Sequence, residues 1–127
     1  MPRKKILVVD DAATARTLET MILTVSSYEV VAARDGLEGL EKARLEKPDL
    51  ILLDLMMPRM DGLEVCKRIR AEPGTASIPI IMVTSRGEES VAETSLACGC
   101  NELVTKPIEA TELLAKVRSC LGEGWHQ

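Results

Sequence analysis

The chain has 127 residues, 46% of them hydrophobic and 28% charged, and a formal net charge of −4. That length suits one domain with a core of its own, and the composition excludes a disordered chain. The negative balance disfavours direct nucleic-acid binding. No apolar run approaches the roughly 18–20 residues that span a bilayer, so no membrane insertion is expected. The basic opening, Met1 to Lys5, leads only into Ile6 to Val9, too short for a signal peptide. A cytoplasmic location follows as the expectation, with the four cysteines as thiols rather than disulfides.

Five short apolar runs recur along the chain, each closed by polar residues. Ile6 to Val9 ends at Asp10 and Asp11, and Val30 to Ala33 at Arg34-Asp35-Gly36. Leu50 to Leu53 ends at Asp54, Ile80 to Val83 at Thr84-Ser85, and Leu103 to Thr105 at Lys106-Pro107. Runs that are continuous rather than alternating predict strands covered on both faces. Helical patterns lie between them. Leu18, Met21, Ile22 and Val25 follow i, i+3, i+4, i+7 spacing. Leu37, Leu40, Arg44 and Leu45 give a second helix, weakened by Gly39. Asp61 is the expected N-cap of a third helix carrying Leu63, Val65, Cys66 and Ile69, ended by Pro73-Gly74. A fourth spans Glu88 to Cys98, and Leu113, Leu114, Val117 and Leu121 mark a fifth. Alternating strands and helices predict a flavodoxin-like, doubly wound (βα)5 α/β fold with a five-stranded parallel sheet. One domain over 1–122 is expected, with 123–127 as a tail or the start of a linker.

Sites in such sheets lie at the carboxyl ends of the strands. Those ends carry Asp10, Asp11, Asp54, Thr84 and Lys106. Any one strand-end aspartate reads as a turn or cap residue. Three together repel one another unless a cation sits among them or a proton is kept. A hard dication such as Mg²⁺ meets that need, and Lys106 supplies a second positive charge.

The ordered set of motifs resembles response-regulator receiver domains of two-component signal transduction. It comprises Ile6-Leu7-Val8-Val9-Asp10-Asp11, the run from Pro48 through Asp54 to Met57-Pro58-Arg59-Met60-Asp61-Gly62, Pro79 to Thr84, and Lys106-Pro107. The resemblance implies roles residue by residue. Asp54 is the expected nucleophile and phosphoacceptor. Asp11, Asp54 and the backbone carbonyl of Met56 would bind Mg²⁺, and Asp10 would hold a metal-bound water. Thr84 and Lys106 would each bind a phosphoryl oxygen, and Pro107 would follow a cis peptide bond. A sensor histidine kinase or histidine phosphotransfer protein would be the donor. Phosphorylation would draw Thr84 inward and shift the surface of the fourth helix, fifth strand and fifth helix toward a downstream protein target.

Some residues depart from the family pattern. Leu103 stands where many receivers carry Tyr or Phe, and Ile108 where Phe often follows Lys-Pro. Met56 and Arg86 occupy variable places beside the site that should tune phosphoryl lifetime. Cys98 and Cys100 read as small buried hydrophobes and not a metal pair, because no second Cys or His pair has zinc-like spacing. Cys66 and Cys120 read as helix residues, and His126 as a tail residue without a catalytic role. Three alternatives stand beside the phosphoacceptor switch. A phosphatase with an aspartyl-phosphate intermediate would want a carboxylate two residues after the nucleophile, where Met56 sits. A receiver-fold module that is never phosphorylated would not need the intact acidic set. A receiver cut from a longer regulator remains open, with Gly122-Glu123-Gly124-Trp125 able to serve as the junction.

Overall fold

The structure is a computed structural model and describes residues 3–85 and 99–123. The helix expected over 88–98, with Arg86 and Cys98, lies outside the described residues, as do Trp125 and His126. Five strands, β1 (Lys5–Val9), β2 (Glu29–Ala33), β3 (Leu50–Asp54), β4 (Ile80–Ser85) and β5 (Glu102–Lys106), form one sheet. Every pairing is parallel and the order is β2-β1-β3-β4-β5. This is the flavodoxin-like order expected from the sequence, with its switch point between β1 and β3. The helices among the described residues are α1 (Ala13–Val25), α2 (Gly36–Glu46), α3 (Gly62–Ala71) and the C-terminal α4 (Ala110–Cys120).

The continuous apolar runs are explained by two cores. Leu7, Val9, Ile51, Leu53, Ile80 and Met82 face α2 and α3, where Leu40, Ala43, Val65, Cys66 and Ile69 cover them. Ile6, Val8, Leu50, Leu52, Ile81 and Val83 face α1 and α4, where Leu23, Leu113 and Val117 do so. Side chains alternate along each strand, so both sets must be apolar for both faces to exclude water. None of Cys66, Cys100 and Cys120 forms a disulfide. Asp35, Asp61 and Glu109 cap α2, α3 and α4 by accepting from N–H groups of the first turn.

Two helices turn a different face to the sheet than their apolar spacing predicts. On α1, Met21 and Val25 are 59% and 84% exposed, and Leu18 is exposed as well. The buried residues are Leu23 and Glu19, with Ile22 packed against the same core. The inward stripe is therefore 19, 22, 23, and a glutamate on it masks the pattern. On α2 the inward residues are Leu40 and Ala43, while Leu37 and Leu45 are exposed. Gly39 also faces inward: a Cβ there would lie 3.0 Å from the Val9 methyl carbons. The glycine that weakens the helix as a helix lets it lie close to β1.

Candidate functional site

The sheet brings the strand-end residues to one edge. Asp54 is the last residue of central β3, Thr84 lies on β4 opposite Thr105, and Lys106 ends β5 opposite Ser85. Asp10 and Asp11 follow β1, which is hydrogen-bonded to β3. Carboxylate oxygens of Asp10, Asp11 and Asp54 lie within 4.8 Å of one another. Asp10, Asp54 and Thr84 are buried, and Asp11 is exposed at the mouth. Lys106 Nζ stands 3.5 Å from Asp10 Oδ2 and 3.6 Å from Asp54 Oδ2. The Lys106–Pro107 peptide bond is cis.

Local turns aim these groups. The Ala12 N–H donates to Asp10 Oδ1 at 2.9 Å, and Arg16 donates to the Asp10 carbonyl at 2.8 Å. This side-chain turn holds the first aspartate inward. The Met56 N–H donates to Asp54 Oδ1 at 3.3 Å, while the Met56 side chain is 56% exposed. Met57, by contrast, is buried in the core beneath α3. The loop from Leu55 to Gly62 closes through the Gly62 N–H donating to the Leu55 carbonyl at 2.8 Å.

The charges are unbalanced. Burial, with the neighbouring Asp10 carboxylate, raises the Asp54 pKa; Lys106 and the Met56 N–H pull the other way and do not prevail. Burial also acts on the Lys106 ammonium, to lower its pKa, but Asp54, Asp10 and Glu19 together outweigh it and hold it raised. Glu19 is the residue that sequence reasoning missed. It is 1% exposed, and burial followed by the Asp10 carboxylate pushes its pKa from an ordinary 4.5 to about 8. The signal was present: Glu19 shares a helix face with Ile22 and Leu23, but the competing stripe of Leu18, Met21 and Val25 is longer. Two buried oxygens, Asp10 Oδ2 and Glu19 Oε2, make no hydrogen bond. An acidic pocket with an excess of carboxylates and orphaned oxygens suits a hard cation bound through oxygen.

Comparison with known proteins points to one family. The family model described as response regulator receiver domain matches residues 6–118. The chain is 45% identical over 118 residues to the alkaline phosphatase synthesis transcriptional regulatory protein PhoP of Bacillus subtilis (strain 168), covering 93% of this chain and 48% of that protein. It is 40% identical over 121 residues to the DNA-binding dual master transcriptional regulator RpaA of Synechocystis sp., covering 95% of this chain and 49% of that one. The chain thus spans about half the length of these curated relatives. The chemotaxis protein CheY4 of Vibrio cholerae superposes with a TM-score of 0.89 at 32% identity, covering 94% of this chain and all of that one. The receiver domain of a signal transduction histidine kinase from Syntrophus aciditrophicus superposes at 0.86 and 31%, covering 98% and 94%. The chain belongs to the response regulator receiver domain family.

Proposed function

We propose that Asp54 is the phosphoacceptor of a signalling switch and that Asp11, Asp54 and the Met56 carbonyl hold Mg²⁺, with Asp10 acting through a bound water. The observation that carries this reading is the convergence of three carboxylates within 4.8 Å of one another, beside the Lys106 ammonium, at the end of the central strand. An Asp54 oxygen attacks phosphorus and forms the acyl phosphate; the bond to the donor breaks, and its electron pair stays on the donor nitrogen. Bound Mg²⁺ supplies charge neutralisation on the equatorial oxygens. Lys106 takes one of those oxygens and Thr84 another. The donor in this reading is a phosphohistidine of a sensor kinase or phosphotransfer protein, and the output is a change in affinity for a partner protein. Among the described residues no helix is long and apolar enough to cross a membrane.

Incubation with acetyl phosphate and Mg²⁺ tests the assignment. One acid-stable, base-labile phosphoryl group should appear by mass, and Asp54→Asn should remove it. Equal labelling of that variant would refute the role of Asp54.

The phosphoryl group should also be long-lived. Met56 is exposed beside Asp54 and offers no side-chain hydrogen bond to an attacking water. Asn at this position can orient that water, so Met56→Asn should speed phosphoryl loss by roughly tenfold, below the usual contribution of a positioned group. Unchanged decay at fixed pH and Mg²⁺ would show that residue 56 does not set the lifetime.

A further inference from the structure

The acidic site has a fourth carboxylate that the reading above does not use. Glu19 projects from α1 and is 1% exposed on the face that packs against the sheet. Among the described residues, the charged groups that act on it most are Asp10, Lys106 and Asp54, which belong to the site. Glu19 Oε2 makes no hydrogen bond, and Oδ2 of the neighbouring Asp10 makes none either but has the Lys106 ammonium at 3.5 Å. A buried carboxylate oxygen with no hydrogen bond is costly, and a second carboxylate beside it raises that cost. An apolar side chain would serve the core better here, since Ile22, Leu23 and the β1 residues Ile6 and Val8 build that face.

Neighbouring carboxylates buried in this way need a retained proton, a donor with two protons or a cation. A water in the hydration shell of a bound dication is such a donor, because the ion polarises its O–H bonds and Mg²⁺ keeps several waters. Residues behind the direct ligands orient those waters and add to affinity. We propose that Glu19 is a positioning residue of the metal site, holding with Asp10 a water of the divalent ion and so tightening Mg²⁺ binding at the expense of the metal-free fold. This inference rests on the assignment of Mg²⁺ to the Asp10–Asp11–Asp54 cluster.

The experiment is calorimetric titration of Mg²⁺ into the wild-type protein, Glu19→Gln, Glu19→Leu and Asp11→Asn, with thermal melts of each metal-free protein. Glu19→Gln keeps the shape and removes the second acceptor oxygen together with the charge the carboxyl can take. It should bind Mg²⁺ about tenfold more weakly, as second-layer substitutions at metal sites do. Glu19→Leu should lose at least as much affinity while its metal-free form melts higher than wild type. A residue with only a packing role would move the melting point and leave the affinity alone. Wild-type affinity in Glu19→Gln overturns the inference, whatever the Leu variant does. If Asp11→Asn loses affinity while Glu19→Gln does not, the metal assignment stands and only the role of Glu19 falls. If the wild type binds no Mg²⁺, both fall.

Discussion

Replacing Asp54 with asparagine should stabilise the metal-free protein, and the gain should grow with pH. Asp54 ordinarily titrates near 3.8, and burial beside Asp10 raises that to about 7 in the folded chain. Between those values the folded state binds a proton that the unfolded state has released. Stability contributed by such a group is complete below the unfolded pKa and is lost as pH rises through the folded one. Glu19, raised to about 8, tilts the curve the same way. Asn at position 54 removes one of the two slopes. Lys106 keeps Asp10 at 3.5 Å, so the substitution does not leave its half-buried ammonium unpaired. The expected gain above neutrality is on the order of 2 kcal/mol, or roughly 6–10 °C in Tm for a chain of this size. Below about pH 4 it should almost vanish, because Asp54 is then protonated in the folded and the unfolded wild type alike. Saturating Mg²⁺ should close the gap by binding the folded wild type better than the variant. The measurement is Tm for both proteins from about pH 3.5 to pH 8.5, with and without Mg²⁺. Taking the difference between the two removes the titration of every distant group. Parallel curves across that range would mean that Asp54 carries no such strain.

Much of the architecture was legible because this fold writes its strands as continuous apolar runs. A strand buried on both faces cannot alternate, so Leu50-Ile51-Leu52-Leu53 announces a central position by itself. The strand-end site was legible for a related reason. Aspartates that close an apolar run sit where the sheet opens to solvent, and parallel order carries Asp10, Asp54, Thr84 and Lys106 to the same edge. Helix orientation was less legible. Periodicity finds an inward face only if that face is apolar, and α1 turns Glu19 inward while Leu18, Met21 and Val25 look outward. On α2, Gly39 faces Val9 where a pattern of large side chains would look for a leucine. Both misreadings arise next to β1, the strand that leads into the acidic cluster. Local rules are expected to yield to chemistry at such a place. Glu19 was thus missed for the same reason that α1 was misoriented: a carboxylate on a core face looks like a solvent residue until the fold is known.

Gly62→Ala should be among the most damaging single-methyl additions in the chain. Gly62 opens α3 directly after the loop that leaves Asp54, and its N–H closes that loop onto the Leu55 carbonyl. A Cβ at this position would lie 2.5 Å from the Asp54 carbonyl oxygen, 2.8 Å from Leu55 Cα and 2.8 Å from Met82 Sδ. The methionine can give way, but the other two atoms are backbone of the central strand and its exit. Relief therefore requires α3 to lift from the sheet or Asp54 to shift. Overpacking a tight core commonly costs about 1–3 kcal/mol, and backbone neighbours place this case at or above the upper end. Gly74→Ala is the matched control, since a Cβ there meets nothing within 4 Å. Urea unfolding should show Gly62→Ala losing about 3 kcal/mol or more at unchanged m, with Gly74→Ala within about 0.5 kcal/mol of wild type. The same displacement should reach the chemistry. Asp54 accepts from the Met56 N–H and shares Lys106 with Asp10, so moving its backbone disturbs both contacts. Acetyl phosphate labelling of Gly62→Ala should be slowed under conditions where the variant is still folded, while Gly74→Ala labels at the wild-type rate. Wild-type stability and labelling in Gly62→Ala would show that the Leu55–Gly62 loop can move off β3 without cost, and that the position of Asp54 does not depend on it.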